Sequence, residues 1–405
     1  MSFYTPLNSL RNPTFARLYI SQTASLLGDS FTWVGLALLA FQLKGNDSAS
    51  ILAFALTLRV IAFIIFSPLA GVLADRIDRR AILVTCDVVR MVVIGLMPFA
   101  TQVWHVFVLM FTVNAFTAFF TPTFQATIPA VTQKEDYAGA ISLSGATSEL
   151  LGVLGPGLAG AAAAFLGARN IFFLDAASFL VSGLLIVTLV SNLGGRKDGQ
   201  EFQSMKLKDI SEGSRLLWKN LLMRRALLVE LVASISGALV LVNTVGLVRG
   251  KMGLGDSGYG MTMAVFGIGA TLAAVFFGVA GKRISRSRFL LLGAVLTSVA
   301  VLPADRVGFA VLLLLWLLAG AGQNWVNLTT QTVIADETET SHQGRVYGAH
   351  FAWSHLWWAF AYPIAGLLGG RARDDSFLYG GIISLVVLAL TLLVNRGRVG
   401  AEHGN

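Results

Sequence analysis

Three ionisable residues sit where a chain this apolar has least reason to put them. Asp29, Arg59 and Glu149 each lie about 15–18 Å inside a long apolar run, at 1.5 Å per helical residue. A charge at that depth in hydrocarbon costs about 3 kcal/mol or more, so each is a functional candidate by default. Two carboxylates and one cation at similar depth suit proton exchange. In that reading Asp29 and Glu149 carry protons and Arg59 biases their ionisation. The competing reading is an internally neutralised salt bridge that holds three helices together.

Other polar residues in apolar runs follow helical spacing. Asp87 and Arg90 are i, i+3 on one helix and nearer to its end, where they would brace the adjoining loop rather than touch a solute. Asp175 and Glu230 lie about 9 Å from a helix start; Asp175 suits helix packing and Glu230 the mouth of a cavity. Gln323, Asn324, Asn327 and Gln331 recur at helical intervals and form a candidate solute-binding stripe, joined by Asn114 and Asn243 in other runs. Interhelical hydrogen bonding is the alternative use of such amides. His350, His355 and Trp357 stand in the most unusual run, His350-Phe-Ala-Trp-Ser-His355-Leu-Trp357-Trp. Two His at i, i+5 do not share a helix face as i, i+4 ligands would, so a metal clamp on this run alone is poor.

These residues need membrane-spanning helices to position them. The chain is 55% hydrophobic and only 13% charged, against about a quarter charged in soluble domains. Twelve runs approach the roughly 20 apolar residues that a spanning helix needs. They divide the chain into a six-helix half over 1–192, a polar linker over 193–225 with an amphipathic segment, and a second six-helix half over 226–405. An even number of spans puts both termini on one side. That side holds most of the Lys and Arg, while the opposite loops carry Lys44, Arg169, Arg249, Lys251, Arg306, Arg371 and Arg373. The termini and linker are therefore expected in the cytoplasm. The same rule explains the net charge of +8 without nucleic acid. The lone Cys86 excludes an internal disulfide, and no removable signal peptide is expected at the polar N-terminus. No phosphate loop, catalytic triad or zincin motif stands out, so neither an enzyme, direct ATP drive nor a cofactor is expected.

Gly71-Val-Leu-Ala-Asp75-Arg76-Ile-Asp-Arg79-Arg80 reads as a tight basic cytoplasmic loop after the second run. A degenerate copy begins at Gly278, at an offset of 207 residues, and Pro156 and Pro363 repeat that offset. A parallel duplication of this kind places a central site between halves that rock against each other. A channel suits such paired halves less well than alternating access does.

The combined pattern resembles the major facilitator superfamily over essentially the whole chain. Asn12-Pro13, Gly28-Asp29, Asp87-x-x-Arg90, Gly155-Pro156 and Asp175-Ala-x-Ser178-Phe179 are similar to its macrolide-efflux branch of drug–proton antiporters. The resemblance implies an all-α bundle of two six-helix halves in a bacterial inner membrane, acting as a monomer that exports a small molecule against protons. It also implies a conformational gate: Asp75 and Arg79 in a charge relay, with Gly71, Arg76, Arg80, Asp87, Arg90, Gly155 and Pro156. The sequence departs from the family at Asp78, where a glycine is usual, at Leu151 in the fifth helix, and in lacking a fourth-helix arginine. The later loop copy has Lys282 at the place of Asp75, so only the first copy is expected to form an acid–base relay. His350, His355 and the Tyr362-Pro363 run are also similar to a nickel-resistance subgroup, which makes export of a divalent metal the second reading. A non-transporting receptor on the same scaffold is a third.

Overall fold

The computed structural model describes residues 6–189, 207–280, 283–339 and 342–402. The side chains of Gly71, Asp75, Arg76 and Glu149 lie outside what is described, as do residues 193–206 of the expected linker and His403. Every regular element among the described residues is helical. The long helices are α1 (Pro13–Lys44), α2 (Ser48–Arg76), α3 (Arg79–Leu96), α4 (Val103–Val131), α5 (Lys134–Leu166), α6 (Ile171–Val187), α7 (Leu207–Lys219), α8 (Leu221–Val245), α9 (Asp256–Ala280), α10 (Arg286–Val301), α11 (Phe309–Glu337), α12 (Gln343–Arg371) and α13 (Ser376–Glu402).

By length and apolarity, eight segments among the described residues can cross a bilayer, and the bent pair Gly139–Gly152 and Leu154–Leu166 of α5 makes a ninth. One of the eight, Pro13–Ser67, contains both α1 and most of α2. Separating these two and adding α6 and α12 gives the twelve expected helices. α6 is short at 17 residues. α12 carries His350, His355 and five aromatic residues with polar tips, which lower its apolarity. The bend of 44° in α5 has a direct cause. Pro156 has no N–H to give to Gly152, and its ring crowds that carbonyl.

The expected ten-residue loop is tighter than its motif suggests. α2 continues through Arg76 and α3 begins at Arg79, leaving Ile77 and Asp78 between them. Asp78 ends the turn as an N-cap, its side chain accepting a hydrogen bond from the backbone N–H of Arg80. A capping carboxylate explains why an acidic residue replaces glycine here. Asn12 caps α1 in the same way, accepting from the N–H groups of Thr14 and Phe15, and Asn220 caps α8 through Leu222 and Met223.

The helices form two compact units, Met1–Leu39 with Ile61–Ser204, and Ala40–Val60 with Met205–Asn405. In the first, α3 packs on α4 and α6, around buried Phe15, Leu83, Phe120, Phe124 and Ile186. In the second, α10 packs on α11 and α13, with α8 against α11, α12 and α13. The recurrence of α3–α4 and α3–α6 as α10–α11 and α10–α13 is the structural form of the 207-residue repeat. α7 is the amphipathic segment of the linker and packs on α12.

Candidate functional site

In the first unit, α3 carries a buried polar node. Arg90, 1% exposed, is ion-paired with Asp87 one turn earlier, and its guanidinium lies 4.0 Å from the ring centre of Phe120 and 4.3 Å from that of Phe179. Asp87 accepts a hydrogen bond from Ser182 at 2.7 Å, and Arg90 donates toward Ser25 at 3.5 Å. The pair thus joins α3 to α1, α4 and α6. It is a helix junction in the unit's interior, and its described partners are these helices rather than the loop it was expected to brace. A second junction binds α1 to α6. Fully buried Asp175 accepts from Thr32 and Ser178, and a side chain at Gly28 would collide with both Asp175 and Ser178. Asp29, half-buried on α1, comes within electrostatic reach of Asp175. Gly155 serves α5 as Gly28 serves α1, since a Cβ there would strike Ser30. Asn114 spends its amide on its own helix, donating to the Met110 carbonyl.

At the end of this unit that holds the motif, cations meet the carboxyl ends of helices. Arg79 donates to the Ala126 carbonyl of α4 at 2.8 Å, Arg80 to Val187, the last residue of α6, and Arg17 to Thr188 at 3.0 Å. Val187 and Thr188 close α6, where carbonyls lack an intrahelical partner and carry the negative end of the helix dipole, which is what a guanidinium satisfies; Ala126 lies just inside the end of α4. The corresponding place in the second unit, 207 residues on, is Arg286, and it pairs with Asp336 at the end of α11 at 3.2 Å. The expectation that only the first copy forms an acid–base contact is therefore corrected. The second copy takes its acid from α11 instead of from the loop, a partner that only the fold brings near.

The second unit gathers its polar chemistry on α12. Nε2 of His350 lies 2.9 Å from each carboxylate oxygen of Glu230 on α8, and both residues are at least nine-tenths buried. Two turns along, Trp357 donates to the Leu227 carbonyl of α8 at 3.0 Å. Between them Trp353 donates to Ser214 of α7 and stacks edge-on against Trp218 at 5.3 Å. Residues 350, 353 and 357 form one stripe, i, i+3 and i+7. His355 points elsewhere; it bonds the Phe351 carbonyl at 2.9 Å and comes within electrostatic reach of Arg59, which also acts on Tyr362. Arg59 thus belongs to the compact unit that contains α12. Among the described residues no three His, Cys, Asp or Glu side chains converge on a metal position. The two histidines divide between faces, as i, i+5 spacing requires.

The amide stripe of α11 splits. Asn324 is buried and donates to the Ala270 carbonyl of α9 at 2.6 Å, the interhelical use of such an amide. It is one residue, about 100°, from Gln323 on the helix. The carbonyl oxygen of Gln323 is buried without a hydrogen-bond partner among the described residues, beside Gly237 of α8 and Trp358 of α12. Asn327 and Gln331 remain exposed. Asn243, 4% exposed, has neither amide atom bonded among the described residues and lines a cavity of about 230 Å³ with Asn46, Gly246, Gly369 and Asp374. The π-helical turn Gly246–Lys251 borders it. Sequence reasoning missed Trp353, Ser214 and Trp218. The i, i+3 relation of His350 and Trp353 was the available signal for Trp353, and the amphipathic periodicity of the linker segment was that for Trp218; Ser214 had none.

The chain belongs to the Major Facilitator Superfamily, whose model matches residues 18–255 and 232–403. It is 25% identical to the uncharacterized MFS-type transporter YfiS of Bacillus subtilis (strain 168) over 93% of this chain and 92% of that protein. It is 26% identical to the multidrug efflux pump Tap of Mycolicibacterium fortuitum over 95% of each chain. Macrolide efflux protein A of Streptococcus pyogenes matches at 23% over 51% of each. Among solved structures, the nucleoside transporter NupG superposes with a TM-score of 0.73 at 13% identity, covering 94% of this chain and 98% of that one. A bacterial homolog of the human lysosomal transporter Spinster gives 0.68 at 15% identity, covering 95% of each. At such identities these structures establish the fold alone. The chain is a multi-pass membrane transporter.

Proposed function

We propose that this transporter is a proton-coupled exporter of amphipathic small molecules, working by alternating access with both termini in the cytoplasm. The observation that carries the reading is the polar and aromatic surface of the second unit. The unpartnered Gln323 oxygen, Trp358, Tyr362 and Arg59 offer hydrogen bonding beside aromatic faces, which suits a solute with apolar bulk and a few polar groups. The efflux relatives support the direction of transport. Asp29 with its acidic neighbour Asp175, and Glu149, are the first unit's candidates for the coupled proton; two carboxylates in reach of each other do not readily ionise together. The positive-inside count supports the orientation.

The test is a susceptibility panel in an efflux-deficient bacterium carrying this chain, covering macrolides, cationic dyes, siderophores and nickel or cobalt salts. Protection against macrolides or dyes that a protonophore abolishes is the expected result. Protection confined to metal salts would replace this reading with metal export. Binding of a solute with no flux in reconstituted vesicles would replace it with a receptor.

A further inference from the structure

We infer that Glu230 and His350 form a second proton-binding site, in the C-terminal unit, whose loss and gain of a proton is part of the transport cycle; this rests on the proton-coupled reading above. Glu230 lies about 14 Å along α8 and His350 about 10 Å along α12, so the pair is inside the spanning bundle. A single Nε2–H shared between two equidistant carboxylate oxygens is a charge-neutral unit when the ring is protonated. Removing one proton leaves the Glu230 carboxylate as an uncompensated anion, nine-tenths buried, between two apolar helices. Such a state needs water or a cationic solute to reach it, and that requirement links proton release to a change in access.

Among the described residues of this unit, the pair is the charge centre of its layer. His355 shares the helix, and Arg59 acts on His355. α7 carries Lys208, Asp209, Glu212, Arg215 and Lys219; the side chains of the first two lie outside what is described, and Glu212 is paired with Arg345 of α12. Arg286 and Arg288 of α10 and Asp336 and Glu337 of α11 stand at helix ends, as do Arg224 and Arg225 of α8. α13 has no charged residue from Ser376 to Val394. A purely structural clamp would need no titrating partner, since two serines already join α8 to α13 through Ser236 and Ser384.

pH-difference infrared spectroscopy on the full-length protein in lipid vesicles with a chelator present tests the site without a solute. The expected result is a shift of a carboxylate-stretch band on acidification, as the imidazolium forms beside Glu230, that is lost in Glu230→Gln and in His350→Gln. If Glu230→Gln does not fold, Glu230→Asp must shift the band in frequency. A difference spectrum unchanged in these variants would overturn the site. In inverted membrane vesicles, ethidium movement driven by a pH gradient is expected to fall at least tenfold in Glu230→Gln, while ethidium still equilibrates down its own gradient. Gradient-driven movement kept in full by Glu230→Gln would overturn the coupling role and leave export standing. A titrating Glu230 band with no driven ethidium movement in the unmodified protein would remove the export reading and leave the proton site.

Discussion

Arg90 shows how one side chain can set the order of a helical unit. Its charge is neutralised by Asp87, its faces are covered by Phe120 and Phe179, and its reach extends to Ser25 on α1. Truncating one partner of such a pair leaves the other charge buried and alone. Arg90→Ala is expected to destabilise the protein by about 3–5 kcal/mol, read as a lowered Tm in detergent. The double change Asp87→Leu with Arg90→Met should recover most of that loss, because both charges then go together. Equal stability of Arg90→Ala and the unmodified protein would show that the node holds nothing. That both residues lie inside a helix was legible from their spacing. Their four-helix partnership was not, because Ser25, Phe120 and Ser182 are remote in the chain and have no distinguishing type.

Among the elements, α9 and α11 approach each other backbone to backbone. A Cβ at Gly269 would strike the Leu317 carbonyl, and one at Gly320 would strike that of Phe266, so two glycines let the backbones meet from both sides. Gly320→Val is expected to cost about 1–3 kcal/mol, or to force the helices apart, measured by thermal unfolding. Substitution without loss would mean the helices can separate freely. α7 is held by different means. Trp353 donates to Ser214 and stacks on Trp218, and a Cβ at Gly213 would meet the Arg345 carbonyl of α12. Trp353→Ala should loosen α7 and raise its rate of proteolysis several-fold in limited digestion; an unchanged rate would place the docking elsewhere. The amphipathic pattern announced that α7 is a helix with one apolar side. It did not say which helix that side would cover.

On the scale of the whole molecule, the bilayer inverts the usual rule of burial. Large apolar side chains such as Phe165, Leu272, Val275 and Val279 are exposed, while Arg90, Asp175 and Glu230 are inside. A parallel repeat then gives each unit the same helix pairings with different chemistry at matching places, as Arg79 on a carbonyl and Arg286 on Asp336 show. The family's relay gives one further expectation. Asp75→Asn should change the balance of inward- and outward-open states without abolishing solute binding, followed as the labelling rates of single cysteines placed in each cavity. Unchanged rates would refute it. The sequence by itself determined the helices, their number, the duplicated motif and the family, because hydrophobic length, turn chemistry and periodicity are local properties of the chain. Only the tertiary structure decided that Asn324 locks α9, that Arg59 answers to His355 and Tyr362, and that Glu230 meets His350 across 120 residues. Such pairings depend on the rotation of each helix about its axis, and that is fixed by neighbours that no local pattern records.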